Sequence, residues 1–246
     1  MNEKTQPKQP IIGILAGMGP RSTAPFVDLV VSECQKQYGA LHDADFPPMM
    51  IYSLPTHFYV DRDVDHALLH EEVVAGLQKL ESTGVSFIAM PCNSTHIFFD
   101  ELAEAIQVPL LNMIDETLSV LPENAQRVAI AATPLTMNAG LYQNAVLQTG
   151  RQWLTTGEWQ MSVNALIQTV KTTQDLSLPR AMFAELMAQA EQAGADSVII
   201  ACTDLNPAVV EYAGVVQMVD ATQILAAATV REWVRQRTPD PSQGSR

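Results

Sequence analysis

Two short apolar segments, each ending at a cysteine, constrain the fold of this 246-residue chain more than any other feature. The first runs from Ser86 to Cys92 and the second from Ser197 to Cys202, and a glycine stands eight positions before each cysteine. Bounded apolar runs of this length predict buried parallel strands. Each cysteine is therefore expected at the carboxyl end of a strand, where open α/β sheets bind their ligands.

The same succession of strands and helices occurs twice along the chain. Apolar segments predict strands at 11–16, 49–53, 86–91 and 108–113 in the first half, and at 127–132, 153–155, 197–201 and 215–219 in the second. Helical patterns separate them, from about residue 23, at 65–82, 94–106, 138–148, 162–171 and 179–193, and from the last strand to about 235. The stretches starting at Asp115 and Asp220 close the two halves in a corresponding way.

This repetition predicts an α/β fold of two pseudo-symmetric domains, each with three layers (α/β/α) and a mainly parallel four-stranded sheet. We assign residues 10–115 together with 220–237 to the first domain and residues 116–219 to the second. Two such domains facing each other would place one cysteine on each wall of a shared cleft, which is the predicted active site. The polar ends, residues 1–9 and 238–246, are expected to be disordered.

The charge and the apolar content of the chain limit the kinds of molecule that it is expected to bind. The formal net charge is −13 and no Lys/Arg cluster is present, which argues against nucleic acid and against anionic membrane surfaces. No apolar run is long enough to span a bilayer, and the first ten residues lack the apolar middle of a signal peptide. A cytoplasmic protein is therefore expected. Three cysteines make a disulfide framework improbable and predict free thiols.

Two facing thiols suit the inversion of a carbon centre next to a carboxylate. One thiolate removes the α-proton from one face of the substrate, and the other thiol donates a proton to the opposite face. A helix start after each cysteine would supply N–H groups that stabilise a thiolate. The same amides, with Asn93, Ser94, Thr95 and Thr203, could hold a carboxylate and an enolate-like intermediate. His96 and Asp204 are close enough in sequence to adjust the protonation of the thiols.

Three motifs carry a resemblance to a known family. Gly-Met-Gly-Pro at 17–20, Pro-Cys-Asn-Ser-Thr-His at 91–96 and Ala-Cys-Thr-Asp at 201–204 resemble the aspartate/glutamate racemase family, from about residue 11 to 235. The resemblance implies a cofactor-independent enzyme with two catalytic cysteines between two α/β domains. It also implies a dimer and a dicarboxylic amino-acid substrate.

The resemblance assigns roles to individual residues. Cys92 and Cys202 match the acid/base pair, Lys171 matches a basic residue that helps bind the distal carboxylate, and Arg62 matches a second one if the loop before it has a small gap. The other positions expected at the substrate are Met18, Asn93, Ser94, Thr95, Thr133, Thr136 and Thr203. His96 and Asp204 are expected to assist, and no metal or cofactor is implied.

The chain departs from the family pattern at several of these positions. The family usually has threonine and then alanine or methionine where this chain has Ser94 and Thr95. It usually has glycine and glutamate where this chain has Ala201 and Asp204. Ile167 replaces a tyrosine one turn before the lysine. These departures bear on substrate choice more than on the thiol chemistry.

The chain departs from the sequence patterns of several cofactor and metal sites. The glycine turn lacks the third glycine of a dinucleotide-binding loop, and no P-loop sequence is present. The acidic residues at 61–72 have a spacing similar to that of a calcium-binding loop, but His66 occupies the position where that loop requires glycine. His66 and His70 lie one helical turn apart and are expected on a solvated face rather than on a metal. Lys171 lacks the glycine-rich phosphate loop expected beside a pyridoxal-phosphate lysine.

The sequence therefore predicts a cofactor-independent racemase of aspartate, and also of glutamate. Two alternatives stay open at this point. One is another enzyme of the two-cysteine superfamily, of the maleate isomerase or hydantoin racemase type. The other is a non-catalytic protein that binds a small molecule. For the cysteines themselves, inert packing and a redox pair are the competing interpretations, and Cys34 is expected to be inert.

Overall fold

The computed structural model describes residues 9–59 and 62–237. The strands are β1 Ile12–Ala16, β2 Met49–Ser53, β3 Phe87–Ala89, β4 Arg127–Ala132, β5 Gln152–Leu154, β6 Ser197–Ala201 and β7 Gln217–Asp220. The α-helices are α1 Thr23–Tyr38, α2 His66–Glu81, α3 Phe99–Glu104, α4 Met113–Ser119, α5 Pro134–Ala139, α6 Leu141–Gln148, α7 Trp159–Thr172, α8 Ser177–Gln192 and α9 Ala221–Arg237. Short 3₁₀ helices are Pro20–Ser22, Asp43–Asp45, Ser94–Phe98 and Thr203–Ala208.

The strands form two parallel sheets with the same internal order. The first sheet has the order β2-β1-β3, and the second has the order β5-β4-β6-β7. In each half the first strand lies between the second and the third. These sheets, with the helices between their strands, confirm the predicted α/β class. Their shared order agrees with the predicted repetition of the chain.

The first sheet differs from the prediction at its fourth strand. Residues 108–113 contribute one parallel bridge, between Ile88 and Leu110, and no strand. The reason is the cap of α4, because the Asn112 side chain accepts hydrogen bonds from the N–H groups of Ile114 and Asp115 and starts the helix early. Asp115 thus lies inside α4. Asn112, not Asp115, is the counterpart of Asp220, whose Oδ1 accepts from the second and third N–H groups of α9.

Both sheets are covered by helices on both faces, because alternate residues of each central strand point to opposite sides. In the first sheet, Ile12 and Ile14 pack with α1 and α9, whereas Leu15 and Ile88 pack with α2. In the second sheet the same alternation separates a core with α7 and α8 from a core with α4 and α6. Each half therefore has the three layers that were predicted.

The C-terminal helix returns to the first sheet. Leu225, Val230 and Trp233 of α9 lie in the same buried cluster as Phe26 and Val30 of α1. This packing favours the proposed grouping of residues 220–237 with residues 10–115. Within residues 9–59 and 62–237, no helix is both long and apolar enough to cross a membrane. Apart from Gln9, the two ends expected to be disordered lie outside the described residues.

Candidate active site

A cavity of about 130 Å³ lies where the carboxyl ends of the two sheets meet. The first half contributes Gly17, Met18, Gly19, Pro20, Pro55, Thr56, Phe58, Cys92, Asn93 and Ser94, and the second half contributes Thr133, Lys171, Cys202, Thr203 and Asp204. The structure thus brings both cysteines to one cavity although 110 positions separate them in the sequence. Each wall carries one thiol, as the sequence predicted.

Cys92 follows β3 and directly precedes the segment that leads into the 3₁₀ helix Ser94–Phe98. It is only 7% exposed, and burial raises the pKa of its thiol above the usual range. The nearby hydroxyl and backbone N–H of Thr95 and the backbone N–H of Ser94 lower the pKa of this thiol in part. These donors are the ones expected at a helix start.

Cys202 follows β6 and precedes the 3₁₀ helix Thr203–Ala208. It is 5% exposed, and burial raises the pKa of its thiol well above the usual range, with a further contribution from the nearby Asp204 carboxylate. The backbone N–H of Asp204 and the Lys171 ammonium lower it. Negative charge on Cys92 also raises the pKa of Cys202. The two thiols are therefore electrostatically coupled across the cavity, and both are protonated at neutral pH.

A cluster of three buried hydroxyls joins the halves beside the cavity. Ser94 Oγ lies 2.9 Å from Thr133 Oγ1 and 3.1 Å from Thr136 Oγ1, and the two threonine oxygens lie 3.1 Å apart. Thr133 also caps α5 by accepting from the N–H of Thr136. Hydroxyls in such a cluster can redirect one donor to a bound carboxylate. Ser94 and Thr133 are at the cavity wall, and Thr136 supports them from behind.

Asn93 is oriented by a residue that sequence reasoning missed. Tyr142 of α6 donates a hydrogen bond of 2.6 Å from its hydroxyl to Asn93 Oδ1. The Asn93 Nδ2 group is buried, has no hydrogen-bond partner among the described residues and belongs to a residue that lines the cavity. An unsatisfied buried donor is costly, so this amide is suited to bind an oxygen of a substrate. No local pattern around Tyr142 indicated this contact, which spans 49 positions.

An ion pair lines one part of the cavity. Lys171, in the last turn of α7, places Nζ 2.8 Å from Asp204 Oδ2. Both side chains are largely buried, with 32% of the lysine and 14% of the aspartate side chain exposed. The predicted Lys171 and Asp204 therefore reach the cavity, and they reach it as a pair. Ile167, one turn earlier, is fully buried in the core of the second half.

Four of the predicted residues do not line the cavity, and one of them is Thr136, which lies behind Ser94 and Thr133. Thr95 lies behind Cys92, where its hydroxyl donates to the Cys92 carbonyl at 2.9 Å. Arg62 lines a neighbouring cleft, with its guanidinium 4.6 Å from the centre of the Tyr59 ring. His96 is buried, and both of its ring nitrogens bond to backbone groups.

The bonds of His96 fix its tautomer. Nε2 accepts from the N–H of Met113 at 3.1 Å, so Nδ1 carries the proton and donates to the Cys92 carbonyl at 2.8 Å. Burial lowers the pKa of His96 to about 4, which keeps the ring neutral. His96 thus ties the Cys92 backbone to the start of α4. It holds the strand end in place from behind the cavity.

The turn and loop that complete the first wall were only partly foreseen. The Gly17–Pro20 turn lines the cavity together with Pro55, Thr56 and Phe58 of the loop after β2. Gly17 has φ +98°, and a Cβ there would lie 2.4 Å from the backbone N of Leu54. This glycine is therefore required for the turn to pack against that loop. Nothing local in the sequence indicated which residues of this loop face inward.

Similarity to known proteins extends over nearly the whole chain. The sequence profile of the Asp/Glu/hydantoin racemase family matches residues 15–229. The chain is 40% identical over 224 residues to the broad specificity amino-acid racemase RacX of Bacillus subtilis (strain 168), an alignment that covers 91% of this chain and 98% of that protein. A solved structure of Picrophilus torridus aspartate racemase has a TM-score of 0.79 and 26% identity, over 92% of this chain and 94% of that one.

A second solved structure has the same fold at lower identity. The aspartate racemase homologue of Pyrococcus horikoshii OT3 has a TM-score of 0.73 and 22% identity, over 91% of this chain and 98% of that one. These alignments include both sheets and both cysteine segments. They therefore concern the arrangement as a whole and not one half of it.

Proposed function

The chain belongs to the Asp/Glu/hydantoin racemase family and is an isomerase, and from that premise we propose that Cys92 and Cys202 racemise an amino acid by exchanging its α-proton. The observation that carries the proposal is the position of both thiols on one cavity, one from each half of the molecule. The relatives and the family already indicate that the chain racemises amino acids. What we propose in addition is that the two thiols carry out the proton transfers.

The proposed reaction has two proton transfers. One cysteine, as thiolate, takes the α-proton, and the electron pair of the broken C–H bond passes into the adjacent carboxylate. The other cysteine, as thiol, donates its proton to the opposite face of the planar intermediate. The product is the enantiomer, and the two sulfurs have exchanged protonation states. No step requires a cofactor.

This exchange requires one cysteine as a thiolate and the other as a thiol. Burial raises the pKa of each thiol, so one must lose a proton before it can act as a base. A substrate ammonium group between the two sulfurs favours the thiolate, because opposite charge lowers a thiol pKa. The N–H groups of Ser94 and Thr95 at one sulfur, and of Asp204 at the other, stabilise it further.

The carboxylate of the substrate is proposed to bind at the wall formed by Asn93, Ser94, Thr133 and Thr203. Asn93 Nδ2 and the Ser94–Thr133 hydroxyls are donors at the cavity, and Thr203 lines it beside Cys202. Donors placed where negative charge accumulates lower the barrier to forming an enolate-like intermediate. The proposed role of this wall is thus both binding and stabilisation of the intermediate.

The test is deuterium exchange in D₂O with purified protein and no added cofactor. We expect loss of the α-proton signal of an L-amino acid together with growth of the D-enantiomer. Each of Cys92→Ala and Cys202→Ala should reduce racemisation by about 10²-fold or more, the usual contribution of a positioned acid or base. Each variant should retain slow exchange with only one enantiomer, and the two variants should retain opposite ones.

A third cysteine offers a matched control. Cys34 is fully buried in α1, away from the cavity, so Cys34→Ala should keep the wild-type racemisation rate. Racemisation that survives in both cavity variants would contradict the mechanism. Mass spectrometry after turnover separates the proposal from a superfamily enzyme whose cysteine forms a covalent adduct. Thermal stabilisation by amino acids without any exchange would favour a binding protein instead.

Two ranges of substrate side chain are proposed. The presence of Lys171 in the cavity supports the predicted aspartate or glutamate, and the Picrophilus relative is an aspartate racemase by name. The Asp204 carboxylate beside that lysine supports a wider range of side chains, as in the name of the Bacillus relative. Rates over a panel of L-amino acids decide between them.

We also propose that the protein is a homodimer. The edge strand β2 leaves Met50 and Ile51 exposed by 41% and 45%. Exposed apolar edge strands commonly pair with another chain, so β2 is the proposed contact between two copies.

A further inference from the structure

We propose that the Lys171–Asp204 ion pair selects amino acids with uncharged side chains over aspartate and glutamate. The inference rests on the proposed racemase function and concerns its substrate class. It departs from the expectation, drawn from the sequence, that Lys171 serves as a free cation for a distal carboxylate.

The pair is fixed in place by both halves of the molecule. The Lys171 ammonium and the Asp204 carboxylate lie 2.8 Å apart. A Cβ at Gly19 would lie 3.2 Å from Asp204 Oδ1 and 3.7 Å from Lys171 Nζ, so the turn of the first half is packed directly against the pair. A side chain at Gly19 would therefore press against the Asp204 carboxylate.

The pair leaves the cavity without net charge from its side chains. Among the described residues that line it, Lys171 and Asp204 are the two with charged side chains, and their charges cancel. Arg21 lies on the far side of the pair, where its guanidinium is exposed and donates to the Thr173 carbonyl. Arg62 lies in the neighbouring cleft over Tyr59. Charges that are exposed or outside the cavity are screened by solvent and act weakly within it.

A charged side chain gains little from such a pair. A carboxylate beside it is attracted by Lys171 and repelled by Asp204 at similar distances, and it still loses its hydration on entering the cavity. If it displaced Asp204 from Lys171, it would leave a largely buried carboxylate without its partner. An uncharged side chain meets neither cost. The remaining wall is suited to it, because Met18, Pro20, Pro55 and Phe58 are apolar.

A second cavity lies beyond the pair. Lys171, Thr203 and Asp204 also line this cavity, which has a volume of about 270 Å³, and its other lining residues are Val170, Leu176 and Pro207 together with the polar Arg21, Ser22, Thr173 and Gln174. The pair thus separates the site cavity from this second space. Its two flexible side chains are what a longer uncharged side chain would contact.

The test compares substrates of nearly equal shape in the same enzyme. Glutamine and glutamate differ mainly in charge, as do asparagine and aspartate, so the ratio of their kcat/KM values isolates charge selection. For the wild type we expect glutamine to exceed glutamate by about ten-fold or more. Asp204→Asn leaves Lys171 without its counter-charge and should raise the glutamate-to-glutamine ratio by about ten-fold, the worth of one charged contact of ~1.4 kcal/mol.

The opposite variant should act in the opposite direction. Lys171→Met leaves Asp204 alone, and it should lower the glutamate-to-glutamine ratio while raising the lysine-to-methionine ratio. The double variant removes both charges and should restore the preference of the wild type for uncharged side chains. Because each ratio is taken within one protein, effects of Asp204 on Cys202 or on folding cancel.

The results that would overturn this selectivity differ from the results that would overturn the proposed racemase function. A wild type that exchanges the α-proton of no amino acid overturns the racemase proposal itself. A wild type that racemises glutamate faster than glutamine leaves that proposal intact and overturns this one. An Asp204→Asn variant with unchanged substrate ratios also overturns it.

Discussion

At the scale of single residues, the cavity depends on groups that are buried but incompletely satisfied. Both thiols are held in their protonated form by burial, and the same segments supply N–H donors for the thiolate form. Asn93 directs one end of its amide to Tyr142 and leaves the other end at the cavity. Such arrangements cost stability in the unliganded protein and are typical of sites that bind polar ligands.

Tyr142 provides a prediction at this scale. In Tyr142→Phe, Asn93 Oδ1 loses its donor, so the amide is no longer fixed and the buried oxygen is unsatisfied. We expect about ten-fold lower kcat/KM and a loss of about 1–3 kcal/mol in the free energy of unfolding. Steady-state racemisation and urea denaturation measure the two effects.

The control for Tyr142 is Tyr38, which also donates one hydrogen bond, to the Asp45 carbonyl, but lies away from the cavity. Tyr38→Phe should alter stability and leave kcat/KM unchanged. Equal kinetic losses in both variants would show that the Asn93 contact has no special part in activity.

At the scale of secondary-structure elements, the common device is a strand end followed by a helix start. It occurs at Cys92 and at Cys202, and in both cases it aims backbone N–H groups at a sulfur. Both helix starts are 3₁₀, and the helix predicted at 94–106 becomes α-helical only at Phe99. Periodicity reports which face of a helix is buried, but it does not distinguish a tight first turn from an α-helical one.

His96 connects two of these elements, and its buried neutral ring makes stability depend on pH. Its pKa is about 4 in the folded protein and near 6.5 when unfolded, so below pH 6.5 the unfolded chain binds a proton that the folded chain does not. Stability should thus be full above pH 6.5 and fall, by about 3 kcal/mol in total, as the pH is lowered to about 4. Urea titrations at several pH values measure this slope.

Other groups titrate in the same range, so variants are needed to isolate His96. His96→Asn should show a shallower fall in stability between pH 6.5 and 4 than the wild type. His66→Asn, at an exposed position at the start of α2, should keep the wild-type slope. If the two variants have the same slope, His96 is not the source of the pH dependence.

At the scale of the whole molecule, two sheets of the same strand order meet at their carboxyl ends. This is why a residue after β3 and a residue after β6 reach one cavity. The packing of α9 on α1 returns the end of the chain to the first half. The hydroxyl bonds from Ser94 to Thr133 and Thr136 join the halves at the cavity itself.

The dimer prediction belongs to this scale. Light scattering after gel filtration should give a mass of twice 26.9 kDa, the mass of the chain. Ile51→Lys places a charge on the exposed edge strand and should yield monomers. Met161→Lys, at a residue of α7 that is 64% exposed, should leave the dimer intact. A wild type that is monomeric at micromolar concentration would contradict the prediction.

The family, the α/β class, the positions of both cysteines at strand ends and most residues of the cavity wall could be predicted from the sequence. The first two of these are confirmed by the comparisons and the fold. These features are local, because strand periodicity, strand ends and the polar residues that follow them are encoded within a few positions. Three features became visible only in the folded chain: Asn112 caps α4, Tyr142 orients Asn93, and Asp204 pairs with Lys171. The last two contacts join residues far apart in the chain, and they exist only where folding aligns the two sheets.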